Sequence, residues 1–376
     1  LAPLLDPLLR APGLGPLRTA AVVDVTTGRE LYGNGATTPM VPASTIKIAT
    51  AAAALSALGP DHRIPTTVVT APAPGTPGIT LVGGGDPTLD RARLTALATA
   101  TADALRARRT TTVTLTYDTT LYTGPVRHPI GVNDNLAPVT PLMTNEARLN
   151  DTASGPAPRS ATPAADTAHT FAALLKAKGV TVRGEPTRGP AAANPTELSR
   201  TESLPVSALV ERTLTYSDND LAEALARATA RATGHPASFE GAGQAVHAEL
   251  RKLGVPLEGA RFADGSGLDR RNRVTARLLT ALLTRAAERP ALRPVLTGLP
   301  VGGFTGTLEH RYAPDSPAAG LIRAKTGTLT GVNTLAGTAV APNGHLLAFA
   351  FLAGRTPSPY EAQPALDALA TTLTTP

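Results

Sequence analysis

Two apolar runs near the C-terminal end, NTLAGTAVA (Asn333–Ala341) and HLLAFAFLAG (His345–Gly354), flank the dipeptide Asn343-Gly344. An Asn-Gly turn between apolar runs predicts a β-hairpin, because both residues tolerate the positive φ of tight hairpin turns. The run LIRAKTGT (Leu321–Thr328) precedes this hairpin, and a helical pattern over Tyr360–Leu373 follows it. The N-terminal end has matching pieces: a short apolar helix over Leu4–Leu9, then AAVVDV (Ala20–Val25) and RELY (Arg29–Tyr32) around Thr26-Thr27-Gly28. A helix over Ser44–Leu58 stops at Gly59-Pro60. Helical spacing returns in Val206–Leu214, Asn219–Thr233, Ser238–Leu253 and Thr275–Glu288. The stretch between is different. Short β-rich pieces (Thr66–Thr70, Thr111–Asp118) alternate with Pro/Gly turns and short helices, followed by a connector over Ser154–Asp166, a helix over Thr167–Lys178 and a strand-like Val180–Gly184. The expected fold is therefore α+β. An antiparallel sheet flanked by helices and an all-helical cluster forms one discontinuous domain, 1–62 and 206–376, and 63–205 forms a smaller insertion.

Composition excludes several functions. The chain has 376 residues and no cysteine, so neither a disulfide framework nor a thiolate metal site is available. Its seven histidines are scattered without a His-x-x-x-His pair, so no metal is expected. A net charge of +6 comes from arginines spread along the chain, and aromatics make up only 3%. Nucleic acid is not an expected partner, since neither a basic cluster nor a stacking platform is present. Weak attraction to anionic cell-wall polymers fits the charge better. No run of about 18 apolar residues could span a bilayer. The opening LAPLLDPLLR, without an initiator methionine, reads as that of a mature or trimmed chain and is compatible with a removed export signal, which the sequence itself does not show.

Three short motifs carry the chemistry. Ser44-Thr45-Ile46-Lys47 is S-x-x-K at a helix start, Ser217-Asp218-Asn219 is S-x-N before the next helical run, and Lys325-Thr326-Gly327 is K-T-G in a strand run. Each has a plain alternative: an N-cap with a helix-favouring lysine, a second N-cap cluster, and a strand entering a turn. Chance supplies roughly 0.16, 0.3 and 0.06 such matches, so each alone is weak, but all three in order arise in well under one chain in a hundred. Of 35 basic residues only five are lysine, at positions 47, 176, 178, 252 and 325. A chain that prefers arginine for charge keeps lysine in two motifs, and arginine cannot accept a proton near neutral pH.

With these motifs the chain resembles the penicillin-recognising serine acyl-transferases. More closely it resembles the class C low-molecular-mass penicillin-binding proteins, the D-alanyl-D-alanine carboxypeptidase/endopeptidase group akin to penicillin-binding protein 4. Gly83–Leu89, Asn145–Arg148, Asp264–Leu268 and Gly306–Leu308 look like further signatures of that group. The resemblance implies a β-lactamase/transpeptidase-like domain carrying an inserted domain, and an extracytoplasmic enzyme without a cofactor. Its substrate would be a peptidoglycan stem ending in D-Ala-D-Ala, and β-lactams would be covalent inhibitors. It implies Ser44 as nucleophile, Lys47 as base, Ser217 as proton relay, Asn219 as positioning group, and Lys325 and Thr326 as carboxylate holders beside Gly327. The backbone N–H groups of Ser44 and Thr328 would form an oxyanion hole. A nearby Lys325 and desolvation are both expected to lower the Lys47 pKa.

The chain departs from the group in two places. Only a short connector, about 151–166, stands where relatives insert a third small domain, so that domain is expected to be reduced or absent. Asn135-Leu136-Ala137-Pro138 lacks an expected tyrosine, and Asp134 beside it is either a contact for a cationic substrate group or an ordinary turn residue. Two rival functions remain. Glu146-Ala147-Arg148-Leu149-Asn150 matches the E-x-x-L-N of a β-lactamase-type hydrolase, though it precedes Ser217 where those enzymes place it after. A non-catalytic peptidoglycan-binding envelope protein is the other, although such a scaffold needs none of Ser44, Lys47, Ser217 or Lys325.

Overall fold

The computed structural model describes residues 1–70, 77–313 and 315–375. They gather into two compact units. The first comprises Leu1–Pro60, Val206–His235 and Phe239–Pro376, and the second Asp61–Pro205 with Pro236–Ser238.

The first unit is built on a five-stranded antiparallel sheet. Its strands are β1 (Leu17–Asp24), β2 (Glu30–Asn34), β3 (Ile322–Leu329), β4 (Val332–Val340) and β5 (Leu346–Gly354). Their spatial order is β2-β1-β5-β4-β3. The C-terminal hairpin pairs Val332 with Gly354 through to Val340 with Leu346. Its turn is one residue longer than a bare Asn-Gly turn: the Ala341 N–H donates to the His345 carbonyl at 2.9 Å, and Gly344 alone takes a positive φ, 81°. Because β5 is the central strand, both of its faces are covered, which explains why HLLAFAFLAG shows no polar alternation. One face meets α1 (Ala2–Leu9) and α7 (Pro359–Thr372) in a core that includes Leu5, Leu366 and Leu369, with Phe349 and Phe351 stacked at 5.1 Å.

A helical cluster completes this unit: α2 (Lys47–Leu58), α3 (Val206–Thr215), α4 (Asn219–Ala232), α5 (Phe239–Lys252) and α6 (Ala276–Glu288). Every residue of α2 from Lys47 to Leu55 is buried, and its alanines let α3, α4, α5 and α6 all pack against it. A hub of small side chains permits this close approach. Gly59 ends α2 with φ 82°. The Asp218 side chain caps α4 by accepting from the Leu221 N–H, and Thr275 caps α6 through the Leu278 N–H. Where the chain leaves this unit and returns, the Ser207 N–H donates to the Pro60 carbonyl at 2.9 Å.

The second unit has its own sheet and core. The strand Arg63–Thr70 pairs antiparallel with Gly78–Val82 and Thr196–Pro205, and Gly78–Val82 pairs in parallel with Thr112–Asp118. The helices Arg91–Ala107 and Pro163–Ala177 cover it, their leucines meeting Val68, Ile79, Leu81 and Phe171. The connector read over Ser154–Asp166 is thus partly helix, since Pro163 sits at its first turn, where a missing N–H matters least. The glycine-rich stretch after Val82 is a close backbone approach, because a Cβ on Gly84 would lie 1.5 Å from the Pro65 carbonyl oxygen. Glu146 lies in this unit and is fully buried. Its carboxylate accepts from Arg148 Nε at 2.9 Å, with Arg159 Nη1 at 3.8 Å.

Candidate active site

The site grows from the entry to α2. Residues Ala43–Ile46 form one 3-10 turn, and Lys47 begins the α-helix proper. Ser44 is not an N-cap, for its hydroxyl caps no helix. Ala43 holds φ 47°, a left-handed conformation that a non-glycine residue adopts only under tertiary constraint. Two neighbours supply that constraint. The Pro42 carbonyl accepts from Thr45 Oγ1 at 2.7 Å and from Thr334 Oγ1 of β4 at 2.8 Å. The Ala43 carbonyl lies against Gly267, where a Cβ would come within 2.0 Å of its oxygen.

Lys47 is completely buried, and its Nζ touches three oxygens: Ser44 Oγ at 2.9 Å, Asn219 Oδ1 at 2.7 Å and the Ser266 carbonyl at 2.6 Å. Asn219 Oδ1 and a backbone carbonyl can only accept. A neutral amine therefore gives its two N–H bonds to them and directs its lone pair at the one partner able to donate, the Ser44 hydroxyl. Burial lowers the Lys47 pKa from 10.5 to about 8, against the opposing pull of Asp264, Asp218, Glu223 and Asp220. Desolvation is thus the leading cause. Lys325, also fully buried, is held well below its ordinary value first by desolvation, then by the positive charges of Lys47 and Arg311. Its Nζ donates to the Thr326 carbonyl at 2.8 Å.

The K-T-G strand is β3, and it lies alongside the 3-10 turn. A Cβ at Gly327 would sit 2.1 Å from Thr334 Oγ1, 2.7 Å from the Pro42 oxygen and 3.1 Å from the Ser44 nitrogen. Glycine is what lets this strand touch the serine's backbone. Thr326 Oγ1 donates to Thr307 Oγ1 at 2.9 Å, so the Gly306–Leu308 turn reaches the same strand. Thr328 is exposed, one residue beyond Gly327, and pairs across the ladder with Asn333. Ser217 lies in the turn before α4 with φ 57° and is half-buried; its hydroxyl bonds to nothing among the described residues. Ser44, Lys47 and Asn219 are thus in direct contact, Lys325 is coupled to Lys47 through charge, and Ser217 stands without a side-chain bond to them.

Three participants were given no role from the sequence, although Ser266 and Thr307 lie in stretches that resemble family signatures. Ser266 contributes a backbone carbonyl, and the loop that carries it is clasped from two sides. Glu223 Oε1 accepts from the Gly265 and Ser266 N–H groups at 3.0 and 2.9 Å, and Asp264 Oδ1 accepts from the Gly267 N–H at 2.9 Å. Glu223 lies one turn along α4 from Asn219, so one helix sets both acceptors of the Lys47 amine. Its other oxygen accepts from Arg227 Nη1 at 3.0 Å, a pair with both side chains at 2% exposure or less, and the guanidinium stacks 4.1 Å from the Phe239 ring centre. Thr307 is the third participant. The glycines of Asp264–Leu268 and Gly306–Leu308 were the visible signal for both loops.

Comparison with known proteins bears on what this arrangement does. The profile of the D-Ala-D-Ala carboxypeptidase 3 (S13) family matches residues 1–154 and 150–373. Carboxypeptidase DacB of Mycolicibacterium smegmatis is 38% identical over 99% of this chain and 83% of its own length. A D-alanyl-D-alanine carboxypeptidase of an Actinomadura species is 30% identical over 91% of this chain and 79% of its own. The crystal structure of penicillin-binding protein 4 from Haemophilus influenzae superposes with a TM-score of 0.81 at 22% identity, covering 98% of both chains. The fold is accordingly that of the penicillin-binding protein 4 structures, and the chain belongs to the D-Ala-D-Ala carboxypeptidase 3 (S13) family.

Proposed function

We propose that the first unit hydrolyses the terminal D-alanyl-D-alanine bond of peptidoglycan stem peptides through an acyl-serine, and that β-lactams acylate the same serine. The observation that carries this reading is the Lys47 amine, buried, lowered to about 8 and hydrogen-bonded to Ser44 Oγ at 2.9 Å. Ser44 Oγ attacks the carbonyl carbon of the penultimate D-alanine while its proton passes to Lys47 Nζ. The oxyanion that forms is held by the Ser44 and Thr328 backbone N–H groups. Ser217 then relays a proton to the departing amine, the C–N bond breaks, and D-alanine leaves. Water cleaves the ester and restores Ser44. Lys325 and Thr326 receive the substrate's terminal carboxylate. That anion supplies the negative charge the buried Lys325 lacks in the free protein, so substrate binding favours its ammonium form.

Glu146 gives the β-lactamase-type alternative no support, since its carboxylate is fully buried and accepts from Arg148 Nε at 2.9 Å. Placement outside the cytoplasm follows from the substrate. No described helix is long and apolar enough to cross a membrane.

The test is release of D-alanine from a tripeptide ending in D-Ala-D-Ala. Because Lys47 accepts a proton only when neutral, acylation should rise about tenfold per pH unit below about pH 8 and level above it. A profile flat from about pH 6 to pH 8 removes Lys47 from the role of base.

The buried Glu223–Arg227 pair yields a second expectation. Glu223→Gln leaves an uncompensated guanidinium in the interior and should destabilise the unit by about 3–5 kcal/mol, read from chemical denaturation. Leucine at both positions removes the unpaired charge but strips the acceptor from the buried Gly265 and Ser266 N–H groups, so stability should stay below that of the original chain and penicillin labelling should be slow. Full labelling by the double variant would sink the positioning role of Glu223.

A further inference from the structure

The first unit carries a second concavity that the proposed chemistry does not use. It opens between α5 and the segment Arg261–Arg271 and measures about 770 Å³, within the range of small-ligand sites. Three guanidinium groups line it from two walls, Arg251 in the last turn of α5 and Arg261 and Arg271 on the facing segment. Arg271 is neutralised by Asp269 at 2.5 Å. Arg251 and Arg261 are exposed, and neither side chain has an ion-pair or hydrogen-bond partner among the described residues. Glu240 is the one carboxylate on the lining, and its nearest bond is a long 3.5 Å contact from Gln244.

Both walls are rigid. The backbones of Arg261 and Arg273 exchange hydrogen bonds of 2.8 and 2.9 Å, and a Cβ on Gly243 of α5 would lie 2.0 Å from the Phe262 oxygen. Aromatic side chains line the cleft between the charges, with Phe239 and His247 half-buried and Phe262 8% exposed. His247 and Phe262 meet edge to face at 6.3 Å, and Phe239 lines the cleft while its ring also carries Arg227 at 4.1 Å. Two free guanidinium forks around aromatic side chains match a particular chemistry. The C–H face of a sugar ring packs on aromatic carbon, and a carboxylate on that ring takes two parallel N–H bonds from a guanidinium. A phosphodiester chain has no use for the rings, and an acidic peptide presents no flat apolar face.

We propose that this cleft is a binding site for an acidic glycan segment, a short run of sugar rings bearing carboxylates, separate from the catalytic serine and independent of the reading given for it. The experiment is isothermal titration of the full chain with a glucuronate-containing tetrasaccharide at low ionic strength. Chitotetraose, tetraglutamate and polyphosphate serve as neutral, peptide and phosphate comparisons. The acidic tetrasaccharide should bind more tightly than each of the three. Arg251→Gln combined with Arg261→Gln should weaken it about tenfold or more while leaving labelling by a fluorescent penicillin unchanged. Equal or tighter binding of any comparison ligand overturns the proposal. So does a double variant that labels normally and binds the acidic tetrasaccharide as well as the original chain.

Discussion

Alanine at position 44 is expected to leave a folded protein that a fluorescent penicillin no longer labels and that releases no D-alanine above background. The substitution removes one oxygen from a half-buried position, and that hydroxyl caps no helix. Its loss should therefore leave thermal unfolding nearly unchanged. The kinetic loss is of a different order, because the oxygen forms the covalent intermediate. Removing such a nucleophile costs a factor on the order of 10⁶ in rate, about 8 kcal/mol of transition-state stabilisation. Mass spectrometry after exposure to penicillin reads the result directly. An adduct on the Ser44→Ala chain at the original extent would falsify the assignment and direct attention to Ser217.

The second large effect concerns Lys47. Arginine there retains a positive charge but cannot take a proton, and methionine retains the length without either. Both variants should acylate slower by a factor of about 10²–10⁴, the usual contribution of a general base. They should differ in their interior. Arginine forces a permanent charge into a site where burial already lowers the lysine to about 8, whereas methionine suits the buried setting. The comparison separates proton acceptance from packing, since methionine is expected to fold well and still fail. Acylation of the methionine variant at the original rate would mean that another group activates Ser44.

How much of this was legible depends on what kind of group does the work. The C-terminal hairpin announced itself because the Asn-Gly turn and two apolar runs all point to one structure. Ser44, Lys47 and Asn219 were legible because side chains of the right type recur at motif spacing, and the structure brings those three together. The Ser266 contribution was hidden, since every residue has a carbonyl and none advertises its aim. Glu223 and Arg227 looked like any i,i+4 pair on a solvated helix, and only the tertiary fold buries them. The helix Arg91–Ala107 was unnamed because its alternating alanine and threonine give a weak apolar stripe. The strand Thr196–Pro205 escaped for a related reason, being polar at nearly every position and buried at few.

The hydrogen bond between Ser207 and Pro60 has a consequence for the cost of closing the long excursion. Everything from Asp61 to Pro205 departs from and returns to two points that touch. Its two ends meet where a single tight turn between α2 and α3 would begin and end. Lengthening a loop with closed ends adds only about 0.6 kcal/mol per doubling. Closing these two ends therefore costs little more for a long excursion than for a short one.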